Sequence, residues 1–331
     1  MLTLITGGAG FIGSNYVRHL LASDPEARVR VLDKLTYAGN LANLQDVTQD
    51  PRFEFQQGDL CDPQAVTRAC EGVEAIIHFA AETHVDRSIH SAEAAVKTNV
   101  EGTFRLLEAA RGCDLRLFLH VATDEVYGSS DGCRYGENDA LNPRNPYSAS
   151  KAGGDRLAYS YFITYGLPVV ITRPTNNYGP NQYPEKLVPL FVYRALNDQP
   201  LPVYGNGQQQ RDWLHVADHC RAIDILRDQG TPGEAYNIVG GNERVNMDVV
   251  RLILDELGKP DSLIQHVEDR PGHDVRYALE DEKLKALGWT SQIEWEQGMR
   301  ETIRWFAAHR QWLEDSIQRG REFMDAWYKG R

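Results

Sequence analysis

Apolar runs of strand length alternate with helical stretches through the first half of the chain. Leu2–Thr6, Arg30–Leu32, Phe53–Gln56, Ala75–Phe79, Leu117–Ala122 and Val169–Thr172 read as strands. Segments near Ser14–Ser23, Pro63–Cys70, Thr98–Arg111 and Tyr147–Tyr165 read as helices. Continuous apolar strands are buried on both faces, so this rhythm predicts an α/β fold in which helices cover both sides of a doubly wound parallel sheet. The rhythm breaks after Arg173. Pro174, Pro180, Pro184, Pro189, Pro200 and Pro202 punctuate the chain there, and the stretch reads as loops. Val216–Leu226 is helical again, Ala235–Val239 is a strand, and Asn246–Leu257 and Trp295–Trp312 are amphipathic helices. The expected division is a first domain at 1–174, with a return segment near 213–240, and a smaller α/β carboxyl-terminal domain at 175–331.

Composition narrows the partners. The 331 residues are 42% hydrophobic and 25% charged, as in an ordinary globular protein. The net charge of −12 would repel a nucleic acid, and no basic block offsets it. No apolar run reaches the roughly 18 residues of a membrane span. The amino terminus turns glycine-rich at once, unlike a signal peptide. Cys61, Cys70, Cys113, Cys133 and Cys220 are odd in number and form no CxxC pair. A cytoplasmic protein with no disulfide framework, metal site or membrane contact is expected.

Leu2–Thr6 leads into Gly7-Gly8-Ala9-Gly10-Phe11-Ile12-Gly13, which holds both GxGxxG and GxxGxxG spacings between a strand and a helix. The early glycines allow a tight turn and close approach to a pyrophosphate. Gly13 lets the helix lie close to the strand, and the helix amino terminus favours negative charge. Asp33, at the end of the second strand, suits the ribose hydroxyls of NAD and would repel the 2′-phosphate of NADP; Lys34 follows directly. Asp59-Leu60 could border the adenine. A Rossmann-type domain binding NAD is expected.

Tyr147 and Lys151 stand four residues apart, on one face of the predicted helix. Lys⁺ and an oxidised nicotinamide would both favour the phenolate, which could take a proton from a sugar hydroxyl while Lys151 bonds the nicotinamide ribose. Strand Leu117–Ala122 runs into Thr123-Asp124-Glu125-Val126-Tyr127-Gly128 at the carboxyl end of a central strand, where open α/β sheets bind ligands. Thr123 can polarise a substrate oxygen. Alone, Asp124 and Glu125 read as caps of a turn. Beside the Tyr–Lys pair they point to acid and base work on a second bond, since neighbouring carboxyls raise one another's pKa.

Thr6–Gly13, Asp33–Asn40, His78–Ser88, Thr123–Gly128, Tyr147–Lys151, Arg173–Pro180, Tyr183–Pro189, Gln210–Leu214 and Arg270–Asp274 together resemble the dTDP-glucose 4,6-dehydratases, an extended short-chain dehydrogenase/reductase family. The glycine loop and YxxxK are common to the wider superfamily, whereas TDEVYG, YPEKLVP and RPGHD are specific. Ala122, where the family often has Ser, and Thr83, where Ser is common, are small departures. The resemblance implies that Tyr147 and Thr123 serve C4 oxidation, Glu125 takes the C5 proton, and Asp124 protonates the departing C6 hydroxyl. It implies cofactor contacts from Phe11, Ile12, Leu35, Thr36, Phe79, Ala80, Ala81, Thr98 and Asn177 besides the groups above. It places Thr83, Asn176, Lys186, Leu187, Pro202, Tyr204, Arg211, Asn246, Arg270 and His273 on dTDP-glucose, and it implies a homodimer. A UDP-sugar 4-epimerase or UDP-sugar 4,6-dehydratase would keep the glycine loop and YxxxK, but an epimerase needs no Asp-Glu pair. A non-catalytic NAD-binding regulator would be expected to have lost Tyr147 or Lys151, and both are intact.

Overall fold

The computed structural model describes residues 1–130, 132–269 and 273–328. In chain order the strands are β1 (Leu2–Thr6), β2 (Arg28–Asp33), β3 (Phe53–Gln57), β4 (Ala75–His78), β5 (Leu117–Val121), β6 (Val169–Pro174), β7 (Asn176–Tyr178), β8 (Leu201–Tyr204), β9 (Gln210–His215), β10 (Ala235–Ile238), β11 (Glu243–Val245) and β12 (Ile264–Val267). Seven form one sheet in the order β10-β6-β5-β4-β1-β2-β3, all parallel. Winding starts at β1, runs outward through β2 and β3, then restarts on the other side at β4. That is the doubly wound Rossmann-type sheet, with its crevice where the order reverses.

The two-residue period of a strand explains why the central strands β1, β4 and β5 are mostly apolar, since alternate side chains meet opposite helical layers. Leu4, Leu32, Ile76 and Phe118 point to one face, under helices Pro63–Cys70, Thr103–Ala110 and Pro146–Tyr165. Ile5, Val31, Ile77 and Leu119 point to the other, under Phe11–Ser23 and Val216–Gln229. A third apolar cluster lies in the carboxyl-terminal part, where Leu187–Leu196, Asn246–Glu256 and Trp295–Ala308 pack together.

The proline-punctuated stretch after Arg173 departs from expectation. It is not loop alone: it carries β7, the helix Leu187–Leu196 and the start of β8. Pro189 sits in that helix's first turn, where an N–H has no intrahelical partner to lose. Pro202 sits in β8, which pairs only with β12. Two helices also differ from their expected extents. The helix expected at Thr98–Arg111 begins upstream at Glu93 and passes through a π-helical stretch, Lys97–Gly102. The one expected at Trp295–Trp312 is divided into Trp295–Ala308 and Arg310–Tyr328. No helix among the described residues is long and apolar enough to cross a membrane.

Candidate active site

The glycine turn is set by sterics. Gly7 has φ 71° and donates its N–H to the Leu32 carbonyl at 2.9 Å. A Cβ on Gly13 would lie 2.3 Å from the Gly7 oxygen, so only glycine lets the helix start so close to the strand. A Cβ on Gly10, which lines the cleft, would lie 3.2 Å from that same oxygen. Helix Phe11–Ser23 starts with no side-chain cap, which leaves its amino-terminal N–H groups available to an anion. Asp33 accepts the Ala9 N–H at 3.0 Å on one oxygen and the Leu35 N–H at 2.8 Å on the other. Burial nevertheless pushes its pKa upward. Lys34 is paired with Asp59 at 2.6 Å. An uncapped helix start, a glycine turn with no room for a Cβ at Gly13 and a carboxylate fixed by two N–H groups fit NAD.

The residues expected to react converge at the carboxyl end of β5. Thr123 caps a single turn, Asp124–Tyr127; its Oγ accepts the Glu125 N–H at 3.3 Å and donates to Asp124 Oδ1 at 3.1 Å. Asp124 Oδ2 is buried with no hydrogen-bond partner among the described residues. Burial, and then the charge of Glu125, raise the Asp124 pKa to about 8. Helix Pro146–Tyr165 begins with Asn145 as cap and Pro146 at its first position, and ends at left-handed Gly166. This aims Tyr147 and Lys151 into the same cleft as Thr123, Asp124 and Glu125.

The electrostatics of Tyr147 run against the sequence reading. Burial and then the Glu125 charge raise its pKa, while its hydrogen bond to Thr123 opposes them. Lys151 does not supply the expected depression. Its Nζ donates to the Val121 carbonyl at 2.6 Å, and burial lowers its own pKa to about 8.

The cleft is lined by Gly7, Gly10, Phe11, Ile12, Gly13, Asp33, Lys34, Thr36, Asp59, Leu60, Phe79, Ala80, Ala81, Thr98 and Asn177 from the expected cofactor set. Leu35 is the exception. Its backbone adopts φ 59°, its side chain packs on the core under the sheet, and only its N–H serves the site, through Asp33. Thr83, Asn176 and Lys186 also line the cleft, with Lys186 Nζ on the Thr83 carbonyl at 2.7 Å. Asn176 Oδ1 is buried with no hydrogen-bond partner among the described residues, as expected of a group awaiting a ligand.

Among the described residues, the other expected substrate residues do not line this cleft. Leu187 packs on the carboxyl-terminal core. Pro202, Tyr204, Arg211, Asn246 and His273 belong to the carboxyl-terminal part, and several are joined by a relay of contacts. The Asn246 N–H reaches the Gln209 carbonyl at 3.0 Å, Gln209 Nε2 reaches Asp269 at 2.9 Å, and Asp269 meets His273 Nδ1 at 2.5 Å. The His273 ring stands edge-on to Tyr204, which donates to Asp86 at 3.0 Å. Arg211 lies over the Tyr277 ring and donates to the Asp274 carbonyl at 3.0 Å. Arg270 lies outside the described residues. Sequence reasoning missed Glu82, Gln182, Tyr183 and Glu185, all of which line the cleft. Three of them fall inside the HFAAETHVDRS and YPEKLVP segments already singled out, so those segments held the available signal.

A family model described as GDP-mannose 4,6 dehydratase matches residues 4–302. A dTDP-glucose 4,6-dehydratase of an Actinoplanes species is 47% identical over 318 residues, covering 94% of this chain and 99% of the relative. One from Streptomyces niveus is 48% identical over 319 residues, covering 95% of each. The crystal structure of DesIV, a dTDP-glucose 4,6-dehydratase from Streptomyces venezuelae solved with NAD bound, matches with a TM-score of 0.94 at 48% identity, over 96% of this chain and 100% of that one.

Proposed function

Because this chain belongs to the GDP-mannose 4,6 dehydratase family, we propose that it is an NAD-dependent lyase converting dTDP-glucose to dTDP-4-keto-6-deoxyglucose and water. The observation that carries this reading is Asp124. It is a buried carboxyl whose pKa burial and the Glu125 charge push up to about 8, and it lines the dinucleotide cleft beside Glu125. A proton-holding carboxyl adjacent to a second carboxyl provides the acid and base pair that an elimination requires and an epimerisation does not.

NAD supplies reversible hydride storage and, when oxidised, a positive charge that favours the Tyr147 phenolate. Tyr147 takes the proton of the sugar 4-hydroxyl on its Oη, and Thr123 holds the 4-oxygen as charge develops on it. With C4 at the ketone level, the C5 proton is acidic and passes to the Glu125 carboxylate. Asp124 gives its proton to the departing 6-hydroxyl, and water leaves. Once the stored hydride is back on the sugar, at C6, Glu125 returns the proton to C5, and the proton that Tyr147 took replaces the one Asp124 gave up. Burial of Asp124 and Tyr147 keeps bulk water from these proton transfers.

Asp33 and the glycine loop hold the dinucleotide, with Asn177 and Lys151 toward the nicotinamide. Thr83 and Asn176 take the sugar, and Lys186, Arg211, Arg270 and His273 the diphosphate, with Pro202 and Tyr204 at the base, Asn246 on the nucleotide and Leu187 beside them. Residues 1–174 with the return near 213–240 serve the cofactor, and 175–331 serve the nucleotide sugar. The protein works as a cytoplasmic homodimer. Exposed Val96, Tyr159 and Ile163, on the helical segments around residues 93–110 and 146–165, support the pairing, and five free cysteines support a reducing compartment.

The test is incubation with dTDP-glucose and UDP-glucose side by side, reading product mass and the alkaline absorbance of a 4-keto sugar. The expected result is a 4-keto-6-deoxy product from dTDP-glucose. A 4-epimer alone overturns the reading.

A further inference from the structure

The first turn of helix Pro146–Tyr165 aims one more polar side chain at the acid and base groups. Ser148 follows Tyr147 directly and is fully buried. Its Oγ donates to Glu125 Oε2 at 3.0 Å. Asn145, the helix cap, accepts the Ser148 N–H on Oδ1 at 2.9 Å and offers Nδ2 to the same Glu125 oxygen at 3.4 Å. At the other end of the residue, Thr123 Oγ accepts the Glu125 N–H. Glu125 is therefore held at backbone and carboxylate by residues from two different elements.

The direction of the Ser148 hydroxyl is informative. A serine within a helix commonly bonds back to its own backbone, as Ser150 does to the Tyr147 carbonyl at 2.7 Å. Ser148 instead reaches out of the helix to a carboxylate, and a hydrogen bond to an ionised acceptor is worth more than one between neutral groups. A glutamate side chain has several staggered conformers, and proton transfer from carbon requires one of them.

We propose that Ser148 is a positioning residue for the elimination half of the reaction. It anchors Oε2 of Glu125 and leaves Oε1 to take the C5 proton. The same helical turn presents Tyr147, the group that serves C4. One turn of helix thus carries one proton-transfer group and holds the carboxylate of the other. This inference rests on the dehydratase reading above.

The experiment compares wild type, Ser148→Ala and Ser148→Cys, each with NAD bound, in single turnovers with dTDP-glucose. Absorbance of reduced nicotinamide reports C4 oxidation. Exchange of the C5 hydrogen with deuterated solvent, and release of 4-keto product, report elimination. For Ser148→Ala the expected result is oxidation at the wild-type rate, accumulation of reduced nicotinamide, and a roughly 10- to 100-fold slower exchange and product release. Ser148→Cys, which keeps a weak donor of similar size, recovers part of the loss. Alanine is the better helix former, so the substitution brings no penalty in propensity; should the alanine protein not fold, the cysteine protein carries the same comparison. Equal slowing of oxidation and elimination, or no slowing of either, overturns the role of Ser148. Wild type that forms no 4-keto product overturns the dehydratase reading itself, so the two failures are distinguishable.

Discussion

Replacing Asp124 with Asn removes one proton-binding group from the centre of the fold at almost constant volume, and the pH dependence of stability should register it. Burial and the Glu125 charge move the Asp124 pKa from 3.8 to about 8. In the unfolded chain it returns to the ordinary value of about 3.9. Between about pH 4 and about pH 8 the native protein therefore holds one proton more than the unfolded chain at this position. The raised value means that the group's contribution is fully present below about pH 4 and is lost as pH rises toward about 8. The slope is roughly 1.4 kcal/mol per pH unit, so going from about pH 6 to about pH 7.5 costs the wild type about 2 kcal/mol. The amide of the Asp124→Asn variant binds no proton and escapes that loss. Urea unfolding of both proteins at the two pH values, at one NAD concentration, measures the difference between their slopes. The variant should gain about 2 kcal/mol on wild type at the higher pH. If the two stabilities instead move in parallel, Asp124 is not protonated in the native protein at neutral pH, and its role as proton donor falls with it.

Lys151→Met tests the opposite limb. Burial lowers the Lys151 pKa to about 8, so the unfolded chain binds more protons from there up to its ordinary value of about 10.4, and wild-type stability should rise with pH across that window. Urea unfolding near pH 8 and near pH 9.5 should find this rise reduced by about 1.4 kcal/mol per unit in the variant, and an unchanged slope would contradict the assignment. Gly13→Ala places a Cβ 2.3 Å from the Gly7 oxygen and 2.8 Å from the Gly8 Cα, backbone atoms with nowhere to yield. The glycine turn must open, and NAD retained through purification should fall by an order of magnitude or more; full retention would show that the turn tolerates the change.

The first half of the fold is readable because the central strands β1, β4 and β5 are mostly apolar runs and strands and helices alternate regularly along it. The sheet order and the site at its reversal follow from that rhythm. The second half is less readable for a physical reason. β7 and β11 are three residues long, and β8 four, too short for any period to stand out from the surrounding prolines. Leu35 shows a finer limit. Its segment does lie on the cofactor side, but a left-handed backbone turns the side chain away, and no pattern of residue types shows that. Tyr147 shows another. Its place in the cleft beside Lys151 is legible from their spacing, whereas the rise in its pKa depends on burial and on Glu125, which belongs to another element. The relay from Asn246 to Tyr204 depends on contacts between segments far apart in the chain.

The position of β10 has a consequence for how the chain is made. The sheet's outermost strand on that side is supplied by Ala235–Ile238, after the chain has left at Pro174 and built other elements. During synthesis, β6 therefore emerges with one bare row of N–H and C=O groups that no earlier segment can cover. The amino-terminal half cannot close its own sheet, and a nascent chain halted before Ala235 would offer its edge to neighbouring chains. Chaperone dependence and loss through aggregation should concentrate in that interval of translation, and residues 1–174 produced alone should be poorly soluble although they contain the whole glycine loop and the Tyr–Lys pair.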